Sequence, residues 1–551
     1  MPEQIPQQQP NIEVPPGFTL HSENTTHILL PSDNGAFLNP VQEFNRDLSV
    51  ACIRVWSEEW NRVKEARWRA AQEKKAKKPE KRLKDSKVAE RSTEAKDKEF
   101  RMQKFVLLEA LSATGLRAIR YAKEIPLVKY VIANDLSNAA TEVMRKNVDI
   151  NGFSEKPADP DVPGSKPTPA KVVVNEGDAC ALMYNHRADG SRVDVVDLDP
   201  YGTAAPFIDA AVQSVNDSGL LCVTCTDLSV LATTNYPEKS FANYGGVSLK
   251  AEYCHEAALR LVLHSLSTSA ARYGRYIEPL LSLSIDFYVR LFVRVGSSPA
   301  EVKKVSSKIS TYYVCSGCQS FYGQPLGRVI DKSHEGSGQP ILQFKTHGGP
   351  PVSERCPECD STLHLAGPMW SASIQNPEFI GKVLEHLEET PDKYGTVARM
   401  KGMLTVAKEE LEDPFYFTPS KIAGTFHCEC PPLGDVASGL LNSGFKVSRS
   451  HACPGSLKTT ATRKEVHDLF RNWIKIHPVR TDKLSQGSPA LVLLSKEAGA
   501  ETDFTRHPDS VTASSRVKLV RYQQNPAPNW GPASKAVSGK RKRAAEDAGE
   551  P

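Results

Sequence analysis

The stretch RVDVVDLDPYGTAAPF, from Arg192 to Phe207, runs apolar residues into a carboxylate, a proline and an aromatic ring. A buried strand that stops on Asp199-Pro200-Tyr201 sets those three groups side by side at one sheet edge. Three further strand ends carry comparable chemistry. EALSATGLR, from Glu109 to Arg117, is a small-residue turn opening a helix. The second strand ends at Asp135, twenty residues after Gly115, where an acidic group commonly binds ribose hydroxyls. The third ends in EGDAC, with Asp178 able to face an adenine amine. Ligands of open parallel sheets sit at the carboxyl ends of the strands. Each carboxylate taken singly is also a fit for a helix N-cap, but four such ends in order weigh against that. Two ligand classes suit the edge, a dinucleotide or S-adenosylmethionine. The turn lacks the glycines of G-x-G-x-x-G that cradle a pyrophosphate, and a sulfonium cofactor has no phosphate to hold.

These groups need a sheet to position them. KFVLLEAL, KYVIAND, AKVVVNEGD, RVDVVDLD and GLLCVTCTD each read as buried strands. Amphipathic helices such as GLRAIRYAKEI and NAATEVMRKNV lie between most of them, so the order is βαβ with a parallel sheet and the fold class α/β. EPLLSLSIDFYVRLFVRV reads as a closing hairpin, and the Pro-rich SEKPADPDVPGSKPTPA as a surface insertion. Ahead of the sheet, Phe44, Leu48, Cys52 and Val55 keep a 3.6-residue period and predict a helix. Residues 1–35 read as a polar, Pro-rich flexible arm. After residue 296 the composition changes. KEVHDLFRNWI predicts a helix with Val466, Leu469, Phe470, Trp473 and Ile474 on its core face, and LLNSGFKVSRSH a helix closed by Gly444 and then a strand. This second region is expected to be α+β, and order beyond about residue 500 is doubtful.

Cysteines supply a separate chemistry. CSGC (Cys315, Cys318) and CPEC (Cys356, Cys359) are two Cys-x-x-Cys knuckles flanking a Gly-rich segment. Four thiolates make the closed tetrahedral set of a structural zinc, and the segment between them is free to loop out. CVTC (Cys222, Cys225) lies in a predicted strand, where positions i and i+3 face opposite ways, which makes it a core feature. His427, Cys428, Cys430, His451 and Cys453 are read as thiols and imidazoles of the core rather than a second metal site.

Twelve cysteines, several in core strands, suggest a reducing compartment. No run of eighteen apolar residues occurs, so no membrane span is expected. The net charge of +4 is unevenly placed: between Arg62 and Lys104 there are 17 Lys and Arg against 8 Asp and Glu, and 52 against 57 elsewhere. That basic insert, with Lys74, Lys75, Lys77, Lys78, Lys81 and Arg82, fits a solvated helix or loop and equally a phosphate-contacting patch. Lys540–Arg543 resembles a nuclear import signal, while the N-terminus lacks a signal core or transit-peptide pattern.

The Asp-Pro-Tyr of the fourth strand resembles the (Asp/Asn)-Pro-Pro-(Tyr/Phe) signature of amino-methyltransferases. There a carboxylate oxygen and the proline carbonyl accept the two N–H bonds of an exocyclic base amine. Its lone pair is then free to attack a methyl group in line, while the ring stacks on the base. Together with FLNPVQEFNRDLSVA, LSATGLRAIRYA, DLDPYGTAAPFIDAA and GPMWSASI, the chain resembles the tRNA guanine-26 N2-dimethyltransferases over roughly residues 35–55 and 105–480. The resemblance implies a class I S-adenosylmethionine-dependent methyltransferase (Rossmann-like) domain over 36–296, with the basic insert at 62–104. It further implies a C-terminal tRNA-binding α+β domain with a zinc element over 297–500, and composition makes 501–551 a disordered tail. It puts cofactor binding on Arg46, Arg117, Asp135, Asp178 and Ala179, catalysis on Asp199 with Pro200, and base stacking on Phe37 and Tyr201. The family usually has Phe where Tyr201 stands, and either ring can stack.

The expected activity is dimethylation of the N2 amine of guanine 26 in tRNA by S-adenosyl-L-methionine, with Zn2+ as a structural ion. The competing readings are an N-methyltransferase for another RNA or DNA amine, and an inactive zinc-containing RNA-binding protein; intact Asp135, Asp178 and Asp199 speak against the latter. tRNA is the expected partner, with no membrane and no obligate protein partner, and the expected location is nuclear, a mitochondrial pool finding no support in the N-terminus.

Overall fold

The computed structural model describes residues 12–32, 38–76, 99–158, 166–332, 341–482, 484–516 and 520. Its first elements depart from the flexible arm expected of residues 1–35. Phe18–Glu23 (β1) and Thr26–Pro31 (β2) form an antiparallel hairpin, with Asn24 at φ 52 in its turn. The prolines upstream mask two short alternating segments. What fixes them is tertiary: Ile28 and Leu29 are buried, and the Leu29 amide donates to Asn147 Oδ1 at 2.7 Å.

Helix α1 (Glu43–Ala76) buries Phe44, Leu48, Cys52 and Val55 as their period predicts. It runs on into the basic insert, where its residues become mostly exposed. Residues 77–98 of the insert, with Lys77, Lys78, Lys81 and Arg82, lie outside the described residues.

The alternating region folds as read. It comprises β3 (Phe105–Glu109), α2 (Leu116–Glu124), β4 (Val128–Asp135), α3 (Asn138–Ile150), β5 (Val172–Glu176), α4 (Ala179–Asn185), β6 (Val193–Leu198), α5 (Ala205–Ser214) and β7 (Val215–Cys225). Two short helices, α6 (Leu228–Leu231) and α7 (Pro237–Tyr244), lead to α8 (Cys254–Ala271) and the closing hairpin β8 (Arg275–Ile285) and β9 (Tyr288–Ser297). The seven strands lie in the order β5-β4-β3-β6-β7-β9-β8. The first five in sequence pair in parallel, and β9 enters antiparallel to β7. Strand order reverses between β3 and β6, and the crevice for a ligand opens at such a switch point.

Each face of the sheet carries its own core. Leu108, Val196, Ile208 and Leu261 belong to one, and Leu107, Val131, Ile119 and Trp56 to the other. Cys222 and Cys225 fall in different cores, as two residues three apart on a strand should.

Beyond residue 297 come α9 (Pro299–Lys303), β10 (Ile309–Cys315), β11 (Phe321–Pro325), β12 (Gly327–Asp331), β13 (Leu342–Thr346) and β14 (Leu363–Trp370). β10, β11 and β14 form a three-stranded sheet, and β12 pairs with β13 in a separate hairpin. Then follow α10 (Pro377–Glu389), α11 (Val397–Glu409), α12 (Pro419–Phe426), α13 (Leu433–Asn442), β15 (Val447–Arg449), β16 (Leu457–Thr459), α14 (Arg463–Ile476), α15 (Pro489–Leu494) and α16 (Ala513–Arg516). Gly444 at φ 86 follows α13, and a Thr462–Glu465 capping box opens α14. Packing does not stop at the composition change. Tyr312, Met369 and Trp370 complete one sheet core, and Phe379, Val383 and Leu404 the other. Order also continues past residue 500, where the Ser514 amide donates to Glu409 at 3.1 Å. Among the described residues no helix is long and apolar enough to cross a membrane.

Candidate active site and metal centre

The strand ends named from sequence converge at the carboxyl edge of β3, β4, β5 and β6. The turn after β3 is tight. Ala113 sits at φ 47 and Gly115 at φ 78, and a Cβ on Gly115 would lie 2.6 Å from Met144 Cγ. This close approach lets the Ala113 amide donate to Asp135 Oδ2 at 3.0 Å. The Ser137 amide donates to Asp135 Oδ1 at 2.9 Å. A carboxylate has about four lone-pair sites, so the half-buried Asp135 keeps acceptor capacity for hydroxyls. Asp178 caps α4, accepting from the Ala181 amide at 2.7 Å, and is exposed beside the buried Ala179. Donor, acceptor and turn fit a nucleoside without a phosphate cradle.

At the end of β6, Pro200 is buried and Tyr201 is 54% exposed. The loop is pinned from below: the Gly202 amide donates to Thr226 Oγ1 at 2.8 Å, and Gly202 O accepts from the Thr226 amide at 2.8 Å. Burial, with Asp199 and Asp135 nearby, pushes the Tyr201 hydroxyl up to about 12, which keeps the phenol neutral. Phe37 lies outside the described residues.

The two arginines are buried and already engaged. Arg46 binds Glu23 of the hairpin through Nε at 2.7 and 3.0 Å and through Nη2. Against the upward push of burial, bonds from His21 and Arg46 and the charges of Arg46 and Arg120 hold Glu23 well below the usual carboxylate range. Arg117 Nη2 binds Asp199 Oδ2 directly, and Arg117 Nη1 donates to Ser49 Oγ at 3.2 Å. Arg117 is thus a direct partner of Asp199 at the carboxyl edge of the sheet.

Beneath them is a charged layer that the sequence did not single out. Asp197 accepts from Arg290 Nη1 and Tyr121 Oη at 2.7 and 2.5 Å. Burial alone would raise Asp197, but Arg290 and Arg117 hold it below its usual range. Glu109 is its register partner on β3. The only sequence signals were charges inside apolar runs, Glu109 in KFVLLEAL and Arg290 in FYVRLFV.

The cysteine knuckles do meet. Cys315, Cys318, Cys356 and Cys359 are buried, and their Sγ atoms all lie within 4.8 Å of one another. Cys315 Sγ is 3.3 Å from Cys359 Sγ, and Cys318 Sγ 3.7 Å from Cys356 Sγ, beyond the ~2.05 Å of a disulfide. A zinc–sulfur distance of about 2.3 Å in a tetrahedron gives edges of about 3.8 Å. The two knuckles repeat one geometry. The Cys315 amide donates to Ser320 O and the Cys356 amide to Ser361 O, at 2.8 and 3.0 Å. Gln319 and Asp360, each following a second cysteine, sit at φ 59 and 58. Amides of Gly317 and Cys318 point at Cys315 Sγ at 3.3 and 3.4 Å, donors suited to a thiolate. The set fits a structural metal. The segment between the knuckles holds β11, β12 and β13. Among the described residues no other group of three or more His, Cys, Asp and Glu could hold an ion. Cys430 is exposed, while His451 is buried against Glu410.

A family profile described as N2,N2-dimethylguanosine tRNA methyltransferase matches residues 17–471. The chain is similar to the tRNA (guanine(26)-N(2))-dimethyltransferase of Schizosaccharomyces pombe, 44% identical over 93% of this chain and 92% of the relative. It is also similar to that of Mus musculus, 41% identical over 96% and 78%. The mitochondrial protein of that name from Saccharomyces cerevisiae is 42% identical over 94% and 92%. In fold it is similar to Trm1 from Pyrococcus horikoshii, solved with S-adenosyl-L-methionine. That TM-score is 0.59 at 23% identity, covering 81% of this chain and 98% of the other. With a profile across most of its length and relatives this similar almost end to end, the chain belongs to the N2,N2-dimethylguanosine tRNA methyltransferase family.

Proposed function

We infer that the chain transfers methyl groups from S-adenosyl-L-methionine to the exocyclic N2 amine of guanine 26 in tRNA, carrying the amine to the dimethylated form. The observation that supports this most is Asp199-Pro200-Tyr201 standing at a sheet edge beside the acceptors Asp135 and Asp178. When bound, S-adenosyl-L-methionine supplies an electrophilic methyl group on a sulfonium. Asp135 takes the ribose hydroxyls and Asp178 the adenine amine, with Ala179 beside it. Arg46 and Arg117 close the cofactor side, each oriented by a carboxylate, Glu23 and Asp199 respectively.

Asp199 and the Pro200 carbonyl accept the N–H bonds of the guanine amine and turn its lone pair toward the methyl group. Tyr201, joined by Phe37, stacks on the base. The amine needs no strong base before attack, because its proton becomes acidic only as the N–C bond forms. Asp199 therefore works chiefly by orientation and by stabilising the developing positive charge. Cys315, Cys318, Cys356 and Cys359 hold Zn2+ to fix the C-terminal region, which binds the tRNA body.

Purified protein, S-adenosyl-L-methionine and a tRNA with guanine at position 26 should yield N2,N2-dimethylguanosine there. Folded protein that binds the cofactor and transfers nothing would defeat the reading. The Lys540–Arg543 cluster, outside the described residues, supports nuclear import. Deleting residues 535–551 should shift the protein toward the cytoplasm, and an unchanged distribution would dismiss the cluster.

A further inference from the structure

Three carboxylates and two guanidiniums meet beneath the site, and the pairing leaves one carboxylate over. Arg117 is taken by Asp199, and Arg290 by Asp197 at 2.7 Å. Glu109, 2% exposed, has no cation of its own among the described residues. Arg117 Nε is 3.8 Å from Glu109 Oε1, too far for a hydrogen bond. Its side-chain partner is Ser112 Oγ at 2.8 Å, in the turn after β3.

The groups that face Glu109 from the neighbouring elements do not remove the imbalance. β6 sets Asp197 in register beside Glu109, followed by Asp199. α2 brings Arg117 and Tyr121, β9 brings Arg290, β7 brings Cys222, and α1 brings Ser49 and Cys52. The phenol and both thiols are pushed up by burial and stay neutral. With all three acids ionised the cluster would hold one uncompensated negative charge, and a buried unpaired charge is neutralised by taking a proton. Burial raises Glu109, Arg117 opposes this only in part, and Asp197 and Asp199 raise it further, to about 8.

We propose that Glu109 is the proton reservoir of this site, holding a proton while no cofactor is bound and yielding it to solvent when the sulfonium cation of S-adenosyl-L-methionine binds. The proposal rests on that cofactor reading. It also balances the reaction. The C–S bond breaks with its electron pair passing to sulfur, the N–C bond forms, and one N–H proton is set free. The sulfonium charge is lost as the proton appears, so a proton returned to Glu109 leaves the net charge of the site unchanged across the step.

Calorimetry at neutral pH in buffers of different ionisation enthalpy reads the proton directly. Wild-type protein should release about one proton on binding S-adenosyl-L-methionine and none on binding S-adenosylhomocysteine, whose sulfur is uncharged. Glu109→Gln should release none with either. Infrared difference spectra of wild type, which do not depend on the variant folding, should show a protonated-carboxyl band lost with the first ligand and kept with the second. Equal release from Glu109→Gln, equal release with the two ligands, or a carboxyl band that persists would each overturn the proposal. Binding without proton release sinks it alone, whereas no binding of S-adenosyl-L-methionine sinks the cofactor reading with it.

Discussion

Asp199 has two jobs that its variants separate. In the proposed reaction it accepts from the guanine amine, and in the fold it neutralises Arg117, whose side chain is 6% exposed. Asp199→Ala removes an acceptor and the direct partner of Arg117, leaving it Glu109 at 3.8 Å and Asp197 at 3.7 Å, so the cost should lie below the ~3–5 kcal/mol of a buried charge left wholly unpaired. Asp199→Asn keeps an acceptor of the same shape and loses the charge, so it is the cleaner probe. Methyl transfer in single-turnover assays should fall about 100- to 1,000-fold in Asp199→Asn, the scale of one positioned electrostatic group. S-adenosyl-L-methionine affinity should fall far less than transfer, because Asp135 and Asp178 are untouched and only the orientation of Arg117 is loosened. Transfer near the wild-type rate would return Asp199 to a structural role. Asp135, Asp178 and Asp199 were legible in the sequence because each ends an apolar run at the same edge. Glu109, Asp197 and Arg290 were not, because the residues that explain them are remote in sequence: Arg290 and Asp197 are 93 residues apart. A charge in a strand says only that something must meet it, and the sheet order decides what.

At the level of elements, what the sequence makes legible is what acts through neighbours in sequence. The βαβ alternation, the α1 period and the two cysteine knuckles all carry their cause within a few residues. The β1–β2 hairpin does not, since it is held by burial of Ile28 and Leu29 and by the Asn147 side chain. The turn after β3 offers a sharp test. Gly115 has φ 78, a region costing other residues about 1–2 kcal/mol, and a Cβ there would meet Met144 Cγ at 2.6 Å. Gly115→Ala should lower denaturant stability by at least that amount and weaken cofactor binding, since Asp135 is held by the same turn. Stability equal to wild type would mean the turn relaxes. The knuckles make a second test. Elemental analysis should find one tightly held zinc, and Cys→Ser at any of Cys315, Cys318, Cys356 or Cys359 should lose it and destabilise the region around α12–α14, because metal binding is coupled to folding. Metal-free protein of undiminished stability would refute the centre.

Across the whole molecule, the methyl-transfer sheet and the C-terminal region are joined by buried ionisable groups, and this sets how the protein meets acid. Glu410 at the end of α11 meets His451 Nδ1 at 2.6 Å and Lys458 at 3.8 Å, while the Ser284 amide of β8 donates to His451 Nε2 at 3.1 Å. Burial would raise Glu410, but His451 and Lys458 hold it down to about 2. His386 on α10, bonded to Tyr394 at 2.8 Å, is lowered by burial to about 4, as is His264 on α8. The sign is the same for all three. A depressed pKa means that the unfolded chain binds the proton first, so stability is full above the unfolded value and is lost as pH falls toward the folded one. The histidines act between about 6.5 and 4, and Glu410 between about 4.5 and 2. Thermal stability of the cofactor-free protein should therefore decline below pH 6.5 in two overlapping stages. His386→Gln should reduce the first by about half, the His264 share remaining, and leave the second. Glu109 runs the other way: its raised pKa removes stability as pH climbs from about 4.5 through about 8, so the cofactor-free protein should be most stable just below neutrality, and Glu109→Gln should lose less stability between about pH 6.5 and 8 and decline more steeply below about 6.5. A flat profile between pH 6.5 and 4 in Glu109→Gln, where the opposing carboxyl is gone, would show that these histidines are not held neutral by the packing of α8 and α10 onto the sheet.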